Sequence, residues 1–76
     1  MNAKRRRRLS TVYEHLSIAV SDLEGIIDEE QDCLDNTPEN LQDSDIYAER
    51  EDALADMADT LDDLRAVACA VSGWAS

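Results

Sequence analysis

Phenylalanine is absent from this 76-residue chain, proline and tryptophan occur once each, and glycine, cysteine and tyrosine twice each. So few turn formers leave little room for short strands joined by tight loops, and point to long helices. Two cysteines, Cys33 and Cys69, are too few for a disulfide framework, and they stand in neither a C-x-x-C nor a zinc spacing. No apolar run approaches the roughly 20 residues that span a bilayer. A signal peptide is also rejected, because its hydrophobic segment at Leu9 to Val20 would be broken by Glu14 and His15. A soluble protein of the cytoplasm is the expectation. No membrane partner is expected.

The residues of most catalytic chemistry are scarce too. Gly25 and Gly73 stand alone, so there is no glycine-rich phosphate loop, and His15 is the single histidine. Asp43 and Asp45 lack the glycine and distal glutamate of a calcium loop. Glu29/Asp32 and Glu49/Asp52 have the i, i+3 spacing of paired acids in metal-dependent helical-bundle pyrophosphohydrolases. A catalytic magnesium site needs such acids to converge, and these fall on outward positions. No enzyme, metal or cofactor is expected.

Positive charge is scarcest of all beyond residue 8. Lys4 and Arg5 to Arg8 are five of the seven bases, and the rest of the chain holds 18 carboxylates against Arg50 and Arg65. The formal charge is −11, while hydrophobic residues still reach 43%, too many for a disordered chain. At this size one domain is the limit. Its core is marginal unless something else helps, such as association with further copies.

What is present falls into two heptad-patterned segments. With Tyr13 at position a, the a and d positions of the first are Leu9, Tyr13, Leu16, Val20, Leu23, Ile27, Glu30 and Leu34. Val12, Ala19, Ile26 and Cys33 hold g. In the second segment a and d are Tyr47, Arg50, Leu54, Met57, Leu61, Leu64, Ala68 and Val71, with Ile46, Ala53, Thr60, Val67 and Trp74 at g. Between them Asn36 and Thr37 before Pro38 stop one helix, and Asp43 or Ser44 offers an N-cap for the next. The expectation is an all-α, coiled-coil-like antiparallel hairpin. A basic arm at 1–8 precedes the hairpin at 9–76, with helices at about 5–35 and 44–73 and a turn at 36–43.

A turn centred near residue 40 makes facing residue numbers add to about 80. Leu23 then meets Met57, Leu16 meets Leu64 and Leu9 meets Val71. Glu30 would meet Arg50 as an ion pair that sets register. A stripe using a, d and g is wider than two helices can cover, so a dimeric four-helix bundle or a larger homo-oligomer is expected.

The arginines sit where a helix macrodipole disfavours cations, so something negative should answer them. One answer is internal, the negative C-terminal end of the second helix with the terminal carboxylate, or else the acidic flank of a neighbouring subunit. Another is a phosphate-bearing ligand, such as a cyclic or ADP-ribose-type nucleotide, clamped by Arg5, Arg6, Arg7 and Arg8 with Tyr13 or Trp74 stacking on the base. Extended duplex DNA is not expected, because the acidic body would repel it. The outward carboxylates Glu49, Asp52, Asp56, Asp59, Asp62 and Asp63, with Asp22, Glu24, Asp28, Glu29 and Asp32, read as a solvated face or as a mimic of nucleic-acid phosphates.

Glu29, Glu30, Gln31, Leu34, Asp35, Asn36, Pro38, Glu39, Leu41, Gln42 and Ser44 carry a further signal. This E-E-Q-x-x-L-D-N-x-P-E-x-L-Q-x-S turn resembles that of small acidic helical-hairpin proteins of bacterial phages, prophages and mobile elements. The resemblance covers a little over half the chain and transfers no functional residue. It implies a phage-type context: a stoichiometric binder that opposes host defence by sequestering a nucleotide immune signal. The alternatives are an acidic mimic that blocks a nucleic-acid-binding host defence protein, and a plain scaffold.

Overall fold

A computed structural model describes residues 2–76. Two long helices lie side by side, α1 over Ala3–Asp35 and α2 over Asp45–Ala75, with a 3-10 turn at Glu39–Leu41 in the linker. No strand occurs among the described residues. The all-α architecture therefore stands as expected.

Each helix boundary has a local cause. The Asn2 side chain accepts the Arg5 backbone N–H at 2.8 Å, so α1 starts at Ala3 and the basic block lies inside the helix. At the other end of α1 the Thr37 hydroxyl donates to the Cys33 carbonyl at 3.0 Å, and Pro38 takes an extended ψ of 144°. Proline disfavours helix at the residue before it, and α1 ends two residues earlier, at Asp35. Ser44 then caps α2, its hydroxyl accepting the Tyr47 backbone N–H at 3.1 Å. Asp45 follows in the first turn, where the macrodipole favours an anion.

Where the helices overlap, most a and d positions face the neighbouring helix and the g positions do not; Tyr13 and Arg50 are exposed. Leu34, Leu54, Leu61, Ala68 and Val71 are the buried core. Leu16, Val20, Leu23, Ile27, Met57 and Leu64 are half-buried beside them, and Leu9 is half-buried on the turns of α1 that run past α2. Every g residue, from Val12 to Cys33 and from Ile46 to Trp74, is exposed. Burying a Leu or Val contributes about 1.5–3 kcal/mol. With only four buried residues larger than alanine, the seam is thin.

The register differs from the expected one. Arg65 reaches Glu24 at 2.6 Å, so facing residue numbers add to about 89 rather than 80. The two grooves along the seam agree: Leu34 lines one together with Leu54, and Val20 lines the other together with Ala68. The linker explains the difference. Thr37 and Leu41 line a groove with Ile46, Tyr47 and Arg50, which means that the linker runs alongside the first turns of α2. The chain reverses near Ser44, where the Ser44 N–H and hydroxyl both donate to the Leu41 carbonyl. Leu23–Met57, Leu16–Leu64 and Leu9–Val71 are therefore not facing pairs. Glu30 and Arg50 form no ion pair either; among the described residues the ion pairs are Arg65–Glu24 and Arg65–Asp62.

The same offset leaves about ten residues of α1, roughly 15 Å of helix, projecting beyond the end of α2. The molecule is accordingly a rod of 60 × 15 × 12 Å. Its radius of gyration is 17.4 Å, against roughly 11 Å for a compact chain of this length. Its accessible surface is 5750 Å², against roughly 4,700 Å² for a compact domain of this mass. No described helix is long and apolar enough to cross a membrane.

Candidate functional site

The projecting end of α1 carries the basic block. Arg5, Arg6, Arg7 and Arg8 are all exposed, and none takes part in an ion pair among the described residues. Consecutive helical residues point about 100° apart, so the four guanidiniums radiate from the rod instead of converging. Arg5 and Arg8 share a face with Leu9 and Val12, at i, i+3, i+4 and i+7, and these four line an open groove. The result is an apolar floor with a guanidinium at two corners.

The two aromatic candidates lie elsewhere. Tyr13 lines a second groove, between the helices, with Ser17, Val20, Arg65, Ala68, Cys69 and Ser72. Trp74 is 59% exposed on the g side of α2. The structure thus does not gather Arg5 to Arg8, Tyr13 and Trp74 around one cavity. The reason is the register: with α1 running past the end of α2, the arginines sit beyond both rings.

The acidic surface is more regular. Glu49, Asp52, Asp56, Asp59 and Asp63 are all exposed and alternate at three- and four-residue steps. That spacing draws them into one straight row down α2 at about 5 Å per carboxylate. Asp22, Asp28, Glu29 and Asp32 stand exposed on α1. The acid pairs Glu29/Asp32 and Glu49/Asp52 are part of this outer surface and do not converge. Among the described residues no group of three or more histidine, cysteine, aspartate or glutamate side chains is placed to hold a metal ion. Both cysteines are free and exposed.

Glu24 departs from the other carboxylates. It sits at an e position, half-covered, where it accepts from Arg65 across the hairpin. Arg65 also donates to Asp62, one turn earlier on its own helix, at 3.4 Å. The Arg65 pKa is raised above its ordinary value, chiefly by the hydrogen bond to Glu24. Heptad reading could have found this pair. In an antiparallel pair of helices e faces e, and Arg65 is the single base among the e residues. Comparison with family models, curated proteins and solved structures finds no significant match to the chain.

Proposed function

We propose that this chain is a non-enzymatic binding protein that presents a polyanionic surface to a cationic groove, in the manner of a nucleic-acid mimic. One observation carries the reading. Eighteen carboxylates are distributed over the roughly 45 Å of the 60 Å rod that lies beyond the basic projection, about one per 2.5 Å, between the 1.7 Å per charge of duplex DNA and the 3.4 Å of a single strand. Apart from Glu24 and Asp62, none of them is in an ion pair among the described residues. A basic groove built for phosphates meets a similar density of anions, held on stiff helices that lose little entropy on docking. The phage-type resemblance of the turn adds a context in which a nucleic-acid-binding host effector is the target.

A second reading rests on the projecting end of α1. Four exposed guanidiniums beside an apolar groove are suited to a phosphate-bearing nucleotide, with phosphate at Arg5 and Arg8 and the base against Leu9 and Val12. In this geometry Tyr13 and Trp74 take no part.

Two variants separate the readings. The first replaces Asp52, Asp56, Asp59 and Asp63 by lysine, and the second replaces Arg5, Arg6, Arg7 and Arg8 by alanine. Immobilised wild-type protein should retain nucleic-acid-binding proteins from a bacterial lysate and release them to competing duplex DNA. The lysine variant should lose them and the alanine variant keep them. Retention that survives charge reversal ends the mimic reading. If calorimetry with cyclic dinucleotides or ADP-ribose shows saturable binding that the alanine variant lacks, the second reading takes its place.

A further inference from the structure

In an antiparallel pair of helices the g positions of one lie beside the g positions of the other. Val12, Ile26, Ile46, Val67 and Trp74 therefore form one apolar strip along a flank of the rod. They are 44–66% exposed. Exposed apolar surface of this extent marks an interaction site, and three further observations identify its occupant.

The first is area. The chain exposes roughly 1,000 Å² more than a compact domain of its mass would, and the flank of the rod measures about 900 Å² from its 60 and 15 Å extents. A standard interface buries about 800 Å² per partner. The second is shape. The projecting turns of α1 offer an apolar groove floored by Leu9 and Val12. At the opposite end Leu41 and Ile46, 50% and 66% exposed, line the groove between the linker and α2. The third is charge. The projection carries Lys4 and Arg5 to Arg8, while residues 28–52, around the turn, hold eleven carboxylates and one base, Arg50.

We propose that a second copy of this chain covers the strip, and that the two rods run in opposite directions. Each basic projection then lies over the acidic linker and first α2 turns of the other copy. Leu9 and Val12 lie against the last turn of the other α1, at Asn36 and Cys33, and the arginines meet carboxylates such as Glu39 and Glu49. A parallel arrangement would set two basic projections side by side and stack two acidic ends, and repulsion disfavours it. In the opposed arrangement α1 packs on α1 of the other copy about a shared midpoint. That brings Val12 opposite Cys33 and Ala19 opposite Ile26. The inference is tested apart from the polyanion reading, through self-association, because the c residues of the carboxylate row, Glu49, Asp56 and Asp63, border the strip and Glu49 enters the contact.

Three measurements test it. Sedimentation equilibrium at high micromolar concentration should give about twice the 8.5 kDa chain mass; a single-chain mass overturns the proposal. The double substitution Arg5→Glu and Arg8→Glu lies outside the core and leaves the hairpin intact. It should weaken self-association by about tenfold or more. Unchanged or tighter association, the result for two like-charged ends relieved of their repulsion, overturns the opposed arrangement. In a Cys69→Ser background, Val12→Cys should allow a short bismaleimide to link two copies through Cys33. Within one chain those two positions are about 30 Å apart, so the link can form only between copies. Cys69→Ser alone should give no covalent dimer. A missing link in the double variant, or an equal yield in the single one, rejects this register.

Discussion

The two flanks of the hairpin are finished to different degrees. On the e side Ser17, Glu24 and Gln31 of α1 face Glu51, Ala58, Arg65 and Ser72 of α2, and Glu24 and Arg65 close the gap with an ion pair. Water solvates the remaining side chains, so this flank is complete in a single chain. The g side presents isoleucine, valine and tryptophan to the same water. Both flanks belong to the same two helices and have similar length and backbone geometry, so helix propensity cannot explain the difference. What separates them is one heptad position. The pattern needed to hold two helices together is a and d alone, and the apolar g row goes beyond that need. A sequence that carries it along about six turns of α1 and eight of α2, with Thr60 its one polar member, encodes a second contact as well as its own hairpin.

The strongest test of this comparison acts on neither flank but on the seam between them. Leu61 is among the buried residues, at the centre of α2. Leu61→Ala should destabilise the protein by about 2–5 kcal/mol, read from urea unfolding followed by circular dichroism. If the loss is under 1 kcal/mol, as for an exposed residue, the seam is not what holds the hairpin, and the distinction between its flanks loses its meaning.

Ile18 and Ile26 sharpen the comparison with one chemical change. They lie on the same helix and are 60% and 52% exposed in the single chain, Ile18 on the outer face and Ile26 on the g row. Isoleucine and serine have similar helix propensities, so substitution reports mainly on what covers the side chain. Ile18→Ser should stay within about 0.5 kcal/mol of the parent. Ile26→Ser should cost about 1–2 kcal/mol, with a melting temperature that depends on protein concentration. Equal effects at both positions would make the g row ordinary surface.

How much of this was legible in the sequence depends on which interactions are local. The helices, the seam residues and the g row follow from apolar spacing, and Ser44 was one of two residues offered as the cap of α2. Register was misjudged by about two helical turns, because the reversal was placed at the midpoint of the linker. Heptad spacing is blind to a whole-turn slide of one helix along the other, since a and d residues meet again after each step. The cap held the missing information, because the chain turns back where α2 begins. That same error set the arginines beside Tyr13 and Trp74. The correct register carries them past the end of α2, so its C-terminal end does not answer their charge, and Glu30–Arg50 gives way to Glu24–Arg65.

The smallest expected effect belongs to that ion pair. Both partners are about half exposed, and an exposed pair contributes little because water and salt screen it. Glu24→Gln removes the charge but keeps an acceptor for Arg65. The melting temperature should fall slightly at low ionic strength, and the difference should close in molar salt. The informative part is its dependence on concentration. A flank completed within one chain gives the same small shift at every protein concentration, whereas Ile26→Ser on the opposite flank gives a shift that grows as copies dissociate. Should the Glu24→Gln shift also vary with concentration, the e flank is part of the contact between copies, and the asymmetry between the two sides of the rod is lost.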